Sequence, residues 1–115
     1  MTPIRYDLEF RQGATFRRAF LYVSGGVPVS LAGFEARMQI RDRVGGRVLA
    51  DLSSANGALQ VEAAAGRVDV EISETVSTNL PDRGTYDLFV FSADDSICLA
   101  EGDVLAARSV TKVRP

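Results

Sequence analysis

The sequence has no histidine, no tryptophan and a single cysteine, Cys98. The missing histidine removes the commonest general base, the commonest metal ligand and every Ser-His or Cys-His nucleophile. One cysteine cannot form an internal disulfide. Small secreted scaffolds usually carry such staples, so folding in a reducing cytoplasm is expected. Missing tryptophan leaves no Cys-Trp-Cys signature of antibody domains. No apolar run approaches the ~20 residues that span a bilayer. The opening Met-Thr-Pro-Ile-Arg-Tyr-Asp shows no charged start followed by an apolar run, so no signal peptide is expected. Thirteen basic and fifteen acidic residues leave a net charge of -2, and no block of five like charges occurs. That balance gives no footprint for nucleic acid or an anionic membrane. The pairs Arg17, Arg18 and Arg41, Arg43 read as solvated strand edges and turns. Gly25-Gly26 and Gly45-Gly46 precede no helix pattern and no Gly-Lys-Ser/Thr, so no phosphate loop is present.

What is there is alternation. Residues 34–41 read Phe-Glu-Ala-Arg-Met-Gln-Ile-Arg. Phe34, Ala36, Met38 and Ile40 fall on one side of a strand, with Glu35, Arg37, Gln39 and Arg41 on the other. The rest of the chain reads as strands recruited to cover that dry face. With 46% apolar residues in 115, one domain over residues 1–115 can build a core.

Residues 4–10 alternate as a first strand, with Ile4, Tyr6, Leu8 and Phe10 on one face. Residues 15–23 follow, apolar on both faces, which suggests a more central strand or one bent between two sheets. Residues 24–28 are a turn by composition. Residues 42–46 form a hairpin loop, which pairs residues 47–52 antiparallel to 34–41. Asn56-Gly57 is the strongest short turn signal. Leu59 and Val61 make a short strand, and residues 67–72 alternate cleanly through Val68, Val70 and Ile72. Residues 73–80 break the rhythm: Ser73 suits an N-cap, Glu74 a helix start and Pro81 a stop, giving one short helical turn. Residues 86–91 put Tyr86, Leu88 and Val90 opposite Asp87, Phe89 and Phe91. Residues 93–96 form a hairpin turn, 97–100 return, 101–103 interrupt, and 104–113 close the chain as a last strand. Eight or nine short strands at intervals of about ten residues make an all-β, antiparallel, immunoglobulin-like β-sandwich.

Candidate chemistry is sparse. Cys98, between Ile97 and Leu99, reads as a small buried apolar residue with no activating partner. Asp94 and Asp95 with Glu101 and Asp103 are the best candidate calcium ligands, yet they lack the alternate spacing of a calcium loop. Polar turn residues explain them equally well. A carboxylate pair for glycoside hydrolysis would need a cleft that short strands give little room for. Phe89 and Phe91 stand out more. Either residues 73–80 cover them within the chain, or they form part of an oligomer or partner interface.

The order of motifs carries a resemblance. Residues 12–16 (Gln-Gly-Ala-Thr-Phe) lead into a strand, and 27–41 follow as Val-Pro-Val-Ser-Leu-Ala-Gly-Phe-Glu-Ala-Arg-Met-Gln-Ile-Arg. Then come Gly66-Arg67-Val68, Ile72-Ser73, Leu80-Pro81, Gly84-Thr85-Tyr86-Asp87-Leu88, Leu99-Ala100-Glu101-Gly102 and Val110-Thr111. The series covers nearly the whole chain. It resembles small structural proteins of tailed phages and prophages, and is similar to the N-terminal immunoglobulin-like domain of phage baseplate upper proteins. That resemblance implies a non-enzymatic virion role without cofactors, through contacts with other tail or baseplate proteins or with further copies. It also implies synthesis in the bacterial cytoplasm and residence in the virion tail. Up to Pro115 there is no coiled-coil or receptor-binding part, a departure from the baseplate protein. A ligand-binding sandwich, taking carbohydrate or calcium at the acidic turns, is the second expectation, and a hydrolase the third.

Overall fold

The computed structural model describes residues 3–113. Alternation over residues 34–41 becomes strand β6 (Glu35–Arg41), where Ala36, Met38 and Ile40 are buried and Glu35 and Arg37 are exposed. Before it come β1 (Ile4–Arg5), β2 (Leu8–Arg11), β3 (Phe16–Leu21), β4 (Val23–Ser24) and β5 (Val27–Pro28). After it come β7 (Val48–Ser53), β8 (Leu59–Glu62), β9 (Arg67–Ile72), helix α1 (Glu74–Thr78), β10 (Arg83–Phe91) and β11 (Ser96–Ala107), with a 3-10 turn at Ala63–Ala65. The fold is an all-β sandwich. Its larger sheet runs β1-β11-β10-β6-β7 with β2 also on β11, and its smaller sheet runs β3-β9-β8.

The expected hairpins form. β6 and β7 pair antiparallel, with Met38 opposite Leu52 and Ile40 opposite Ala50. Asn56 holds the next turn by accepting from the Ser53 and Ala58 amides, and Gly57 takes the positive φ of 84° that the turn demands. The sheets meet over a dry interior. Leu8, Met38, Ile40, Leu88, Val90 and Val104 come from the large sheet, and Phe16, Phe20, Leu59, Val68, Val70 and Ile72 from the small one. Tyr6 meets Phe20 edge-on at 6.0 Å, and Phe10 meets Phe16 at 5.2 Å, tying the N-terminal strands to β3.

Several expectations are corrected. The strands number eleven among the described residues: two expected strands divide, the turn at residues 24–28 contributes β5, and the two expected last strands merge into β11. The first breaks at Tyr6-Asp7 into β1 and β2. Both run parallel to β11, Ile4 opposite Ala100 and Leu8 opposite Val104, so the sandwich is not antiparallel throughout. At the break the Tyr86 hydroxyl donates to the Tyr6 carbonyl at 2.6 Å, and the Asp103 amide donates to the Asp7 carboxylate at 2.9 Å. The second ends at Leu21. β3 is an edge strand, not a central one, so its second face is exposed at Leu21. The expected turn at residues 24–28 is the two-stranded ribbon β4-β5.

The expected interruption at residues 101–103 is absent. β11 passes through Gly102, a position where a Cβ would collide with the Tyr6 carbonyl oxygen, which accounts for a glycine within the strand. The last strand stops at Ala107, not at residue 113. A bulge between Leu88 and Phe89 sends Leu99 and Ala100 both inward and resets the alternation. The expected helical turn forms: the Ser73 hydroxyl accepts from the Val76 amide at 3.2 Å. Ser77 is fully buried, donates to the Arg11 carbonyl and accepts from the Gly13 amide.

Candidate interaction surface

The outer face of the large sheet is built by the residues that alternate with the core. β10 lies between β6 and β11, so its outward residues form rungs across three strands. Phe91 sits between Glu35 and Ser96, Phe89 between Arg37 and Cys98, Asp87 between Gln39 and Glu101, and Thr85 between Arg41 and Asp103. The opposite set, Tyr86, Leu88 and Val90, is buried. That settles which side of residues 86–91 is core.

Phe89 and Phe91 are half-buried on this face. Residues 73–80 do not cover them. α1 is fastened through Ser77 to residues 11–13, beside Ala107, and Gln12 Nε2 donates to the Leu80 carbonyl. Cys98 lies nine residues of strand from Ala107, roughly 30 Å at the rise of a β-strand. The helix therefore sits at the other end of the sheet from the phenylalanines.

Arg37 meets Asp51 with two hydrogen bonds, of 2.7 and 3.1 Å. The hydrogen bond from Arg37 lowers the Asp51 pKa, and the same contact raises that of Arg37. Both are solvated, so the pair orders the edge of the sheet more than it stabilises the fold. Asp87 and Glu101 are directly opposed in register across β10 and β11. Partial burial, then Glu101, push the Asp87 pKa up, with Arg41 opposing. Cys98 is half-buried beside Phe89, not in the core, and its thiol donates weakly to the Ala100 carbonyl. Burial, then Asp87 and Glu101, raise its pKa and hold it as the unreactive thiol.

The acidic candidates are not brought together. Asp94 and Asp95 sit in the β10-β11 hairpin, their amides donating to the Ser92 hydroxyl. Glu101 lies six residues along β11 from Asp95, about 20 Å away at the rise of a strand. Asp103 is further still and pairs with Arg5 and Arg83. Among the described residues no group of three His, Cys, Asp or Glu side chains is placed to hold a metal ion. An open concavity of about 1450 Å³ lies between residues 11–14, α1 and residues 108–113. Its arginines are engaged: Arg11 with the Arg108 carbonyl, Arg83 with Asp103, and Arg108 with Asp82. Among the described residues no helix is long and apolar enough to cross a membrane.

Sequence reasoning identified Phe89 and Phe91 but missed the Asp87-Glu101 rung beside them. Its signal was present in the alternation of β10, but the register that sets Asp87 against Glu101 depends on the bulge at Leu99. No protein-family model matches the chain, and no curated protein matches it.

Proposed function

We propose that the chain is a non-enzymatic structural or assembly module of a phage or prophage tail or baseplate, working through protein-protein contacts. The observation that carries the reading is the outer face of the large sheet. Two phenylalanines lie there two residues apart on β10, half-buried and outside the core, at the end of the sheet away from α1. An isolated sheet has little reason to place aromatic rings two residues apart on its wet side. The ordered motif series supports the phage assignment, and the scarcity of catalytic residue types supports the non-enzymatic one. The partners are then other tail or baseplate proteins or further copies of the chain, and the working location is the virion tail.

Light scattering tests this, on the chain alone and mixed with the tail and baseplate proteins encoded beside it. Complexes of defined stoichiometry are expected. Retention of the monomer mass in every mixture overturns the reading. Calcium or carbohydrate binding at the acidic turns is the rival, and a thermal shift on adding either would favour it.

A further inference from the structure

We infer that the outer face of the large sheet seats residues 110–113 of a second copy of this chain, so that copies meet head to tail. This goes beyond the proposed function, because it names the occupant of the face, and it can fail while that reading stands.

Beside the two rings the face carries Glu35 and Arg37, the latter paired with Asp51, and the next rung along is acidic. Going along β10, Phe91 and Phe89 are followed by Asp87, with Glu101 directly opposite. Among the described residues neither Asp87 nor Glu101 forms an ion pair. Like charges directly opposed across a sheet oppose folding. A cation brought between them relieves that repulsion, and an apolar side chain on the neighbouring rung covers ring surface.

The tail has the matching chemistry. After Asp103 the sequence contains no acid, and the tail carries Lys112 and Arg114 among Val110, Thr111 and Val113. Residues 108–113 join no strand. Val110 is 99% exposed and Val113 70%. This is a β-prone, cationic segment with its apolar side chains in water, an arrangement suited to lying on a sheet.

Reach decides that the contact between the tail valines and the phenylalanines is made by another copy. Ala107 ends β11, and Cys98, beside Phe89, lies nine strand residues back, about 30 Å away. Even fully extended, the six residues from Ala107 to Val113 span at most about 21 Å. The tail therefore cannot carry its valines to the phenylalanines of its own sheet. A neighbouring copy has no such restriction, and the contact so formed is heterologous.

The test uses the full chain at low salt, with molar mass followed against concentration by light scattering. A fluorescently labelled peptide of residues 108–115 is titrated in parallel. Mass is expected to rise with concentration and to fall back at high salt, as screening requires. Lys112→Glu and the double variant Asp87→Asn/Glu101→Gln should each weaken association about tenfold. The double variant should also bind the peptide about tenfold more weakly while melting at a higher temperature than the parent, since repulsion is removed. Combining Lys112→Glu with Asp87→Lys/Glu101→Lys should restore association. A mass that does not change with concentration overturns the inference. So does association that either variant leaves intact, or failure of the charge swap to rescue. Complexes with the neighbouring tail proteins formed by a chain that stays monomeric alone would overturn this inference and leave the proposed function in place.

Discussion

Single side chains decide most at two places, the centre of the core and the break at Tyr6-Asp7. Leu88 is fully buried between the sheets. Leu88→Ala should destabilise the fold by about 3 kcal/mol, the usual cost of such a cavity, measurable by urea unfolding. Tyr86 is a polar counterpart, its ring in the core and its hydroxyl on the Tyr6 carbonyl. Tyr86→Phe should cost about 1 kcal/mol, since it leaves that carbonyl without its donor. Burial first, and Asp7 second, raise the Tyr86 pKa well above the ordinary 10.0. The folded state thus holds the phenolic proton more tightly than the unfolded chain. The stability this contributes is complete below about pH 10 and is lost above it. Tyr86→Phe should flatten the alkaline limb of a melting-temperature profile. Asp87 obeys the same sign in acid. Its folded pKa is raised above 3.8, so ionisation opposes folding at neutral pH. Asp87→Asn should raise the melting temperature at pH 7, and the gain should vanish as the pH falls below about 4.

At the scale of elements, the helix and β11 show what a linear pattern contains and what it lacks. α1 is marked by its cap, and removing the Ser73 hydroxyl should cost about 1 kcal/mol of stability by thermal melting. The clean alternations of β6 and β9 were legible because one face is dry and the other wet, which is the condition a period of two reports. The reading of residues 15–23 as a central strand failed, and its alternative of a strand bent between two sheets is nearer the passage from β3 to β4, because an edge strand can leave Leu21 in water and composition alone does not distinguish an exposed apolar face from a second buried one. β11 was misread for a different reason. Glu101-Gly102-Asp103 looks like a turn in isolation, and only the backbone of Tyr6 lying against Gly102 explains a glycine within a strand. The candidate surface divides likewise. Phe89 and Phe91 announce themselves in sequence, whereas the Asp87-Glu101 rung depends on a bulge that no local pattern specifies. Gly102→Ala should loosen β1 selectively, seen as faster amide exchange at Tyr6 with the β6-β7 hairpin unchanged.

For the whole molecule, the two sheets have unlike outer sides. The small sheet carries paired charges, Arg17 with Glu71 and Arg67 near Asp69. The large sheet carries an acidic and aromatic strip. Substituting Phe89 and Phe91 by serine should leave folding intact, because neither belongs to the core. It should abolish complexes with partner proteins or further copies, as read by light scattering. Loss of folding instead would assign the two rings a purely internal role.

The parallel course of β2 beside β11 also has a mechanical meaning. Tension applied between Ile4 and Ala107 draws these two strands past each other along their length. The contacts from Leu8-Val104 to Arg11-Ala107 then resist together instead of opening one at a time. A domain tethered at both ends would hold under load until that whole ladder yields at once.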